Sequence, residues 1–231
     1  MIELRPFNKL GTFRNEWLDA HYHFSFSHYY DQKRMGEGKL RVWNDDRIEP
    51  GTGFPPHGHR DMEIITYVRS GAITHRDSMG NEGRTEAGDV QVMSAGTGVQ
   101  HSEWNAEDTA TTLFQIWIEP NKTGVKPSWG ARKFPKADRS GQWAVLASGD
   151  PREDALKINQ DAKILGATLK TGETLDYSVG AERHGYLVVA SGSVELNGTL
   201  LGPRDGAAIH GAETLTLKGV EEAELVFVDT I

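Results

Sequence analysis

Short apolar and alternating runs separated by glycine turns dominate the chain. "EIITYV" (63–68), "TTLFQIWI" (111–118), "YLVVASGSVEL" (186–196), "TLTL" (214–217) and "ELVFV" (224–228) have strand length and are rich in Val, Ile, Thr and aromatic residues. No amphipathic pattern runs beyond three helical turns. The 26 glycines recur between these runs, as expected of an all-β sandwich or barrel. The segment 119–141, "EPNKTGVKPSWGARKFPKADRSG", is rich in Pro, Gly and Lys and reads as a connection between two domains. The pattern therefore predicts domains at 1–132 and 133–231.

An internal similarity points the same way. "YVRSGAITHRD" (67–77) resembles "LVVASGSVELNG" (187–198) when Ser70-Gly71 is set against Ser191-Gly192. Downstream, "EAGDVQVM" pairs with "GPRDGAAI" through Asp89 and Asp205. A duplicated β-domain is the economical explanation.

Composition narrows the chemistry. The 231 residues include no cysteine, so disulfides and thiolate metal sites are excluded and any metal must be held by nitrogen and oxygen. A net charge of −8 without a basic tail argues against direct nucleic-acid binding. "MIELRPFNKL" does not read as a signal peptide, and no segment has the roughly 20 apolar residues that span a bilayer, so a cytoplasmic protein without membrane contact is expected.

Within "FPPHGHRDMEIITYVRSG" (54–71), His57 and His59 stand at i and i+2. On an extended strand they share one face, about 6–7 Å apart along the chain. "GTGVQHSEWN" repeats the spacing with His101 and Glu103. If the two strands are neighbours, three imidazoles and one carboxylate converge, a set suited to iron(II) or another borderline divalent ion. His21, His23 and His28 in "DAHYHFSFSHYY" have similar spacing but no partner carboxylate, and read as part of a half-exposed strand.

A fuller pattern surrounds the first pair. Gly51-x5-His57-x-His59-x3-Glu63-x7-Gly71 resembles the first cupin motif, and Gly88 through "DVQVMSAGTGVQHSEWN" resembles the second, with Gly96, His101 and Asn105 in order. The interval before Gly71 is one residue longer than in that motif, Ser94 replaces a proline, and two extra residues precede His101. These departures, with "YYDQKRMGEGKLRVWNDDRIEPGTGFPPHGHRDMEIITYV", "HRDSMGN" and "GTGVQHSE", are similar to the pirin branch of the cupins.

That resemblance implies an all-β bicupin of two antiparallel β-barrel domains, with one metal in the first and a second domain that is structural. It places the ligands at His57, His59, His101 and Glu103, with Glu63 as the rival carboxylate, since many other cupins use that position. It implies a metal-dependent dioxygenase of the quercetin 2,3-dioxygenase type, in which Glu103 is the base that prepares a flavonol for O2. Iron(II) is the expected ion; zinc, manganese, nickel, cobalt and copper are alternatives. A monomer is expected. The alternative function is a metal-dependent or redox-sensing regulatory protein that binds a protein partner without turnover. Phe54, Pro55, Pro56, Met93 and Val99 flank the ligands and are candidates for an apolar pocket or for ordinary core. Trp104, next to Glu103, is a candidate optical reporter of metal.

Overall fold

The computed structural model describes residues 1–231. The chain is almost entirely antiparallel β-structure, and its only helical elements are two 3-10 turns, Phe7–Lys9 and Lys136–Arg139. None is long and apolar enough to cross a membrane. Two compact units form: Gly11–Phe134 with Leu156–Gln160, and Met1–Leu10 with Pro135–Ala155 and Asp161–Ile231. The first ten residues belong with the C-terminal half.

In the first unit, one sheet places Leu40–Ile48, Glu63–Ser70, Val90–Ser94 and Thr111–Ile118 side by side, extended at its edges by Gly11–Arg14, Leu18–Tyr22 and Ser128–Arg132. The second sheet has four strands, in the order Thr52–His59, Val99–Asn105, Ala72–Asp77, Glu82–Glu86. The two sheets pack as a β-sandwich and do not close into the barrel expected from the sequence. The segment 119–141 is not a bare connection either. Its Ser128–Arg132 pairs with Val90–Ser94 as an edge strand, a position that tolerates the surrounding Pro, Gly and Lys because one side of its ladder is free.

The second unit repeats this plan. Gly206–His210, His184–Ser191, Ala223–Thr230 and Ala162–Leu169 lie in the same spatial order as Val90–Ser94, Glu63–Ser70, Thr111–Ile118 and Leu40–Ile48. Thr174–Val179, Glu213–Gly219, Val194–Leu196 and Thr199–Leu201 form its four-stranded sheet. Ile2–Arg5 completes the larger sheet by pairing with Gly206–His210.

The positions that aligned the two halves do the same physical work. Gly71 and Gly192 both adopt left-handed backbone, at φ +73° and +72°. Asp89 Oδ1 accepts a hydrogen bond from Phe134 N at 3.0 Å, and Asp205 Oδ1 accepts one from Phe7 N at 2.7 Å. Each aspartate thereby ties the end of an outlying chain segment to its own sheet.

The interiors differ. In the second unit, Leu175 faces Leu217 and Tyr177 faces Leu215 across the smaller sheet, and they pack with Leu187, Leu225 and Phe227 into a continuous apolar core. In the first unit, polar side chains occupy much of the corresponding space.

The glycine turn gives a direct test of the duplicated architecture. A Cβ on Gly192 would lie 2.0 Å from the Glu222 carbonyl oxygen, on backbone already in the left-handed region. Gly192→Ala is expected to lower stability by roughly 1–3 kcal/mol, read from the midpoint of urea unfolding. An unchanged midpoint would show that this turn does not constrain the hairpin.

Candidate metal centre

The strands Thr52–His59 and Val99–Asn105 are neighbours, and their register puts His57 directly opposite His101 and His59 opposite Val99. The register slips between His101 and Glu103, where Pro55 and Pro56 add a bulge to the edge strand. Proline is tolerated there because an edge residue need not donate to the ladder. Beyond the bulge the chain passes very close to its neighbour. A Cβ on Gly53 would lie 2.2 Å from the Glu103 carbonyl oxygen, so this crossing requires glycine.

The result is a cluster of three imidazoles, His57, His59 and His101, each offering one nitrogen, and these three atoms lie within 4.8 Å of one another. His57 Nδ1 lies 2.7 Å from the Pro55 carbonyl oxygen and donates to it, which leaves its Nε2 bare. That atom sits 3.1 Å from His101 Nε2. Two nitrogens bound about 2.1 Å from one ion, at roughly 90–110°, would be about 3.0–3.4 Å apart. The donor set and spacing therefore fit a divalent ion. Burial, with His57 beside it, lowers the His59 pKa to about 4. Burial and the neighbouring imidazoles lower that of His101 to about 3. Both rings are neutral near pH 7, the form that binds metal.

Behind His101 stands a pair that the sequence reading did not single out. His75 and Asp77, at i and i+2 on Ala72–Asp77, are almost wholly buried. His75 Nε2 lies 3.0 Å from Asp77 Oδ2, and His75 Nδ1 lies 3.4 Å from His101 Nδ1. One proton arrangement satisfies both contacts: His75 donates to Asp77 from Nε2 and accepts from His101 at Nδ1. That fixes the His101 tautomer with its Nε2 lone pair directed at His57. Trp129 stacks on the His75 ring at 4.8 Å and holds its plane. Asp77 is anchored by Asn81 and the backbone N–H of Met79. The signal was available as a second polar i, i+2 pair in "THRD", on the strand next to His101.

Glu103 faces the same cavity but lies outside the three-histidine cluster. It is tied to the floor formed by the larger sheet, whose registers set Gln91, Thr66, Gln115, Asn44 and Tyr22 in one row across five strands. Glu103 Oε1 accepts from Gln91 Nε2 at 2.8 Å and from Thr66 Oγ1 at 3.1 Å, and Oε2 accepts from Gln115 Nε2. Burial pushes its pKa up to about 7 against the lowering effect of these donors.

Glu63 lies elsewhere. It is buried, and its carboxylate accepts from Ser94 Oγ at 2.6 Å and Asn159 Nδ2 at 3.1 Å. Its neighbour Ile64 is the residue that lines the cavity.

Of the flanking apolar residues, Phe54 and Pro55 line the cavity, whereas Met93 and Val99 pack into core with Ile64. His21 sits half-buried near Asp19, but His23 is fully buried against Trp43 and is not part of a half-exposed face. Trp104 points outward. Trp117, edge-on to His59 at 5.0 Å, is the better reporter.

Residues 3–118 match the family described as Pirin, and residues 145–230 match the Quercetinase C-terminal cupin domain. A relative from Caulobacter vibrioides named Pirin-like protein is 59% identical over 230 residues, 99% of each chain. The chain belongs to the pirin family. Another member, named Quercetin 2,3-dioxygenase, from Escherichia coli K12, is 41% identical over 99% of this chain and 98% of its own. The crystal structure of the bacterial pirin YhhW with nickel(II), from Escherichia coli, has a TM-score of 0.93 at 38% identity and covers 100% of this pirin and 99% of that chain.

The His101–His75–Asp77 chain predicts a measurable support for the ion. His75→Phe keeps a ring against Trp129 but removes the acceptor for His101 Nδ1. Affinity for a divalent ion, measured by chelator competition, is expected to fall about 10–100-fold, while His21→Ala leaves it unchanged. Equal affinities for His75→Phe and the parent protein would show that His75 does not support the ion.

Proposed function

We propose that this chain is a metal-dependent dioxygenase of the quercetin 2,3-dioxygenase type, which opens the central ring of a flavonol with O2 and releases carbon monoxide. One observation carries the reading. Three convergent imidazoles and a buried carboxylate share a single, largely apolar cavity of about 350 Å³. Its volume lies in the usual small-molecule range of about 300–1,000 Å³. The relative named Quercetin 2,3-dioxygenase supports the same reading.

His57, His59 and His101 would hold the ion, with Glu103 as the fourth donor. Iron(II) suits this nitrogen and oxygen set, and nickel, manganese, cobalt, copper and zinc compete for it. When bound, the ion supplies positive charge that lowers the pKa of a substrate hydroxyl and prepares the ring for oxygen. The residues supply the rest. Glu103 accepts the proton of the flavonol 3-hydroxyl, and a carboxyl whose pKa is near 7 can both take and return a proton at neutral pH. Thr66, Gln91 and Gln115 fix where that carboxylate points. Leu18, Phe26, Phe54, Ile64 and Trp117 provide flat apolar walls for an aromatic ligand and exclude water from it. Glu63, bonded to Ser94 and Asn159, is proposed to be structural.

Exchanging each glutamate tests the roles. Glu103→Gln keeps shape and an oxygen donor but loses basicity, so metal-saturated turnover of a flavonol is expected to fall by roughly 10²–10⁴. Glu63→Gln is expected to retain most activity. Parent activity should decline as pH falls below the Glu103 pKa, about 7 without metal and lower with a cation beside it, because the protonated carboxyl is no base. Glu103→Gln should lack that acid limb. A dead Glu63→Gln with a nearly normal Glu103→Gln would move the carboxylate role to Glu63. Absence of oxygen uptake with quercetin under every metal tried would favour the binding-protein alternative.

A further inference from the structure

Two buried oxygens in this cavity have no hydrogen-bond partner. Leu40–Ile48 alternates its faces: Asp45 lies on the face away from the cavity, buried against Arg69, while Asn44 and Asp46 line the cavity. Asn44 is 5% and Asp46 2% exposed, and the Oδ1 atom of each is buried and unpaired. Unpaired buried polar atoms are uncommon in folded proteins, where such groups ordinarily find a donor.

The neighbours explain why they remain unpaired. Gln115, beside Asn44 in the polar row, gives its amide to Glu103. Asp46 lies one row further along, between Leu113 and Ala20, neither of which has a side-chain donor. Tyr22 stands beside Asn44 on the next strand, and its hydroxyl pKa is pushed up to about 12 by burial and then by the Asp46 charge. The other charged groups felt by Asp46 are Asp45, Glu103 and Arg69.

Position along the floor is as informative as burial. On Thr111–Ile118, Trp117 meets His59, Gln115 holds Glu103, and Leu113 pairs with Asp46. Four residues of strand separate the first row from the last, about 13 Å. The histidines and Asp46 therefore serve opposite ends of one elongated space with apolar walls.

We propose that Asn44 and Asp46 are specificity-determining residues that bind a phenolic hydroxyl at the end of the substrate remote from the histidines. The substrate class is an elongated aromatic with a metal-directed oxygen at one end and a hydroxylated ring at the other. Both unpaired atoms are acceptors, so one phenolic O–H can donate to Asp46 Oδ1 and a second hydroxyl on the same ring to Asn44 Oδ1, while the Asn44 amide nitrogen can donate to a phenol oxygen. Burial, then the nearby Asp45 and Glu103 charges, holds the Asp46 carboxyl well above the usual range. A site with such groups discriminates strongly against a ligand that lacks the hydroxyl, because its own polar atoms then stay unpaired. The inference rests on the dioxygenase reading for its substrate but not for its test.

The test is equilibrium binding without turnover, read from quenching of the intrinsic tryptophan emission, to which Trp117 in the cavity wall contributes. In metal-loaded protein under nitrogen, quercetin is compared with galangin, which lacks hydroxyls on the pendant ring. In metal-free protein, 4-phenylphenol is compared with 4-methoxybiphenyl. The parent is expected to prefer the hydroxylated ligand at least tenfold in both pairs. Asp46→Leu and Asn44→Leu are expected to reduce that preference to about twofold, and Asp46→Asn to retain part of it. Circular dichroism and metal content identify any variant that misfolds, and the remaining variants then decide. A parent without preference in either pair, or folded leucine variants that keep it, overturns the proposal. Failure of oxygen uptake with an intact binding preference would instead sink the dioxygenase reading and leave this one standing.

Discussion

Two imidazole nitrogens that both present a lone pair repel each other at 3.1 Å unless a proton or a cation lies between them. His57 and His101 are held in that relation by independent contacts on their far sides, Pro55 for one and His75 for the other. Burial disfavours the proton, since it lowers the basicity of His101 and of the adjacent His59. A divalent ion is the partner that satisfies the geometry and the charge together. The edge-strand bulge at Pro55–Pro56, the glycine crossing at Gly53 and the Asp77 anchor can all be read as means of holding this arrangement.

The duplicated fold shows how little of the scaffold depends on that chemistry. Both units use the same strand order, the same left-handed glycine after the central strand and the same aspartate acceptor. In the second, leucine and tyrosine face each other across the smaller sheet and their apolar contacts fill the interior. The first has a polar row in its floor, and that row immobilises Glu103. A site built from partly desolvated polar groups stabilises a fold less than a packed apolar core does, and such groups persist where they serve a ligand.

Much of this was legible in the sequence. Glycine-bounded apolar runs predicted an all-β duplicated chain, and the i, i+2 spacing of His57/His59 and His101/Glu103 put four side chains on the faces they occupy. What strand periodicity could not show was distance across the sandwich. Glu63 and Glu103 both looked able to reach an ion; periodicity could not show that Ser94 and Asn159 engage the first, while three floor residues hold the second in the cavity of the histidines. His75 escaped notice because its partners, His101, Asp77 and Trp129, become neighbours only through strand pairing. The two sheets also remain a sandwich, since closure into a barrel depends on hydrogen bonding between edge strands, which no local pattern records.

Whether the three histidines hold one ion can be read by X-ray absorption at the metal edge of the reconstituted protein. One ion per chain with three imidazole nitrogens at about 2.0–2.2 Å is expected, falling to two in His57→Ala. A shell with one imidazole or none, or a shell unchanged in His57→Ala, would contradict it.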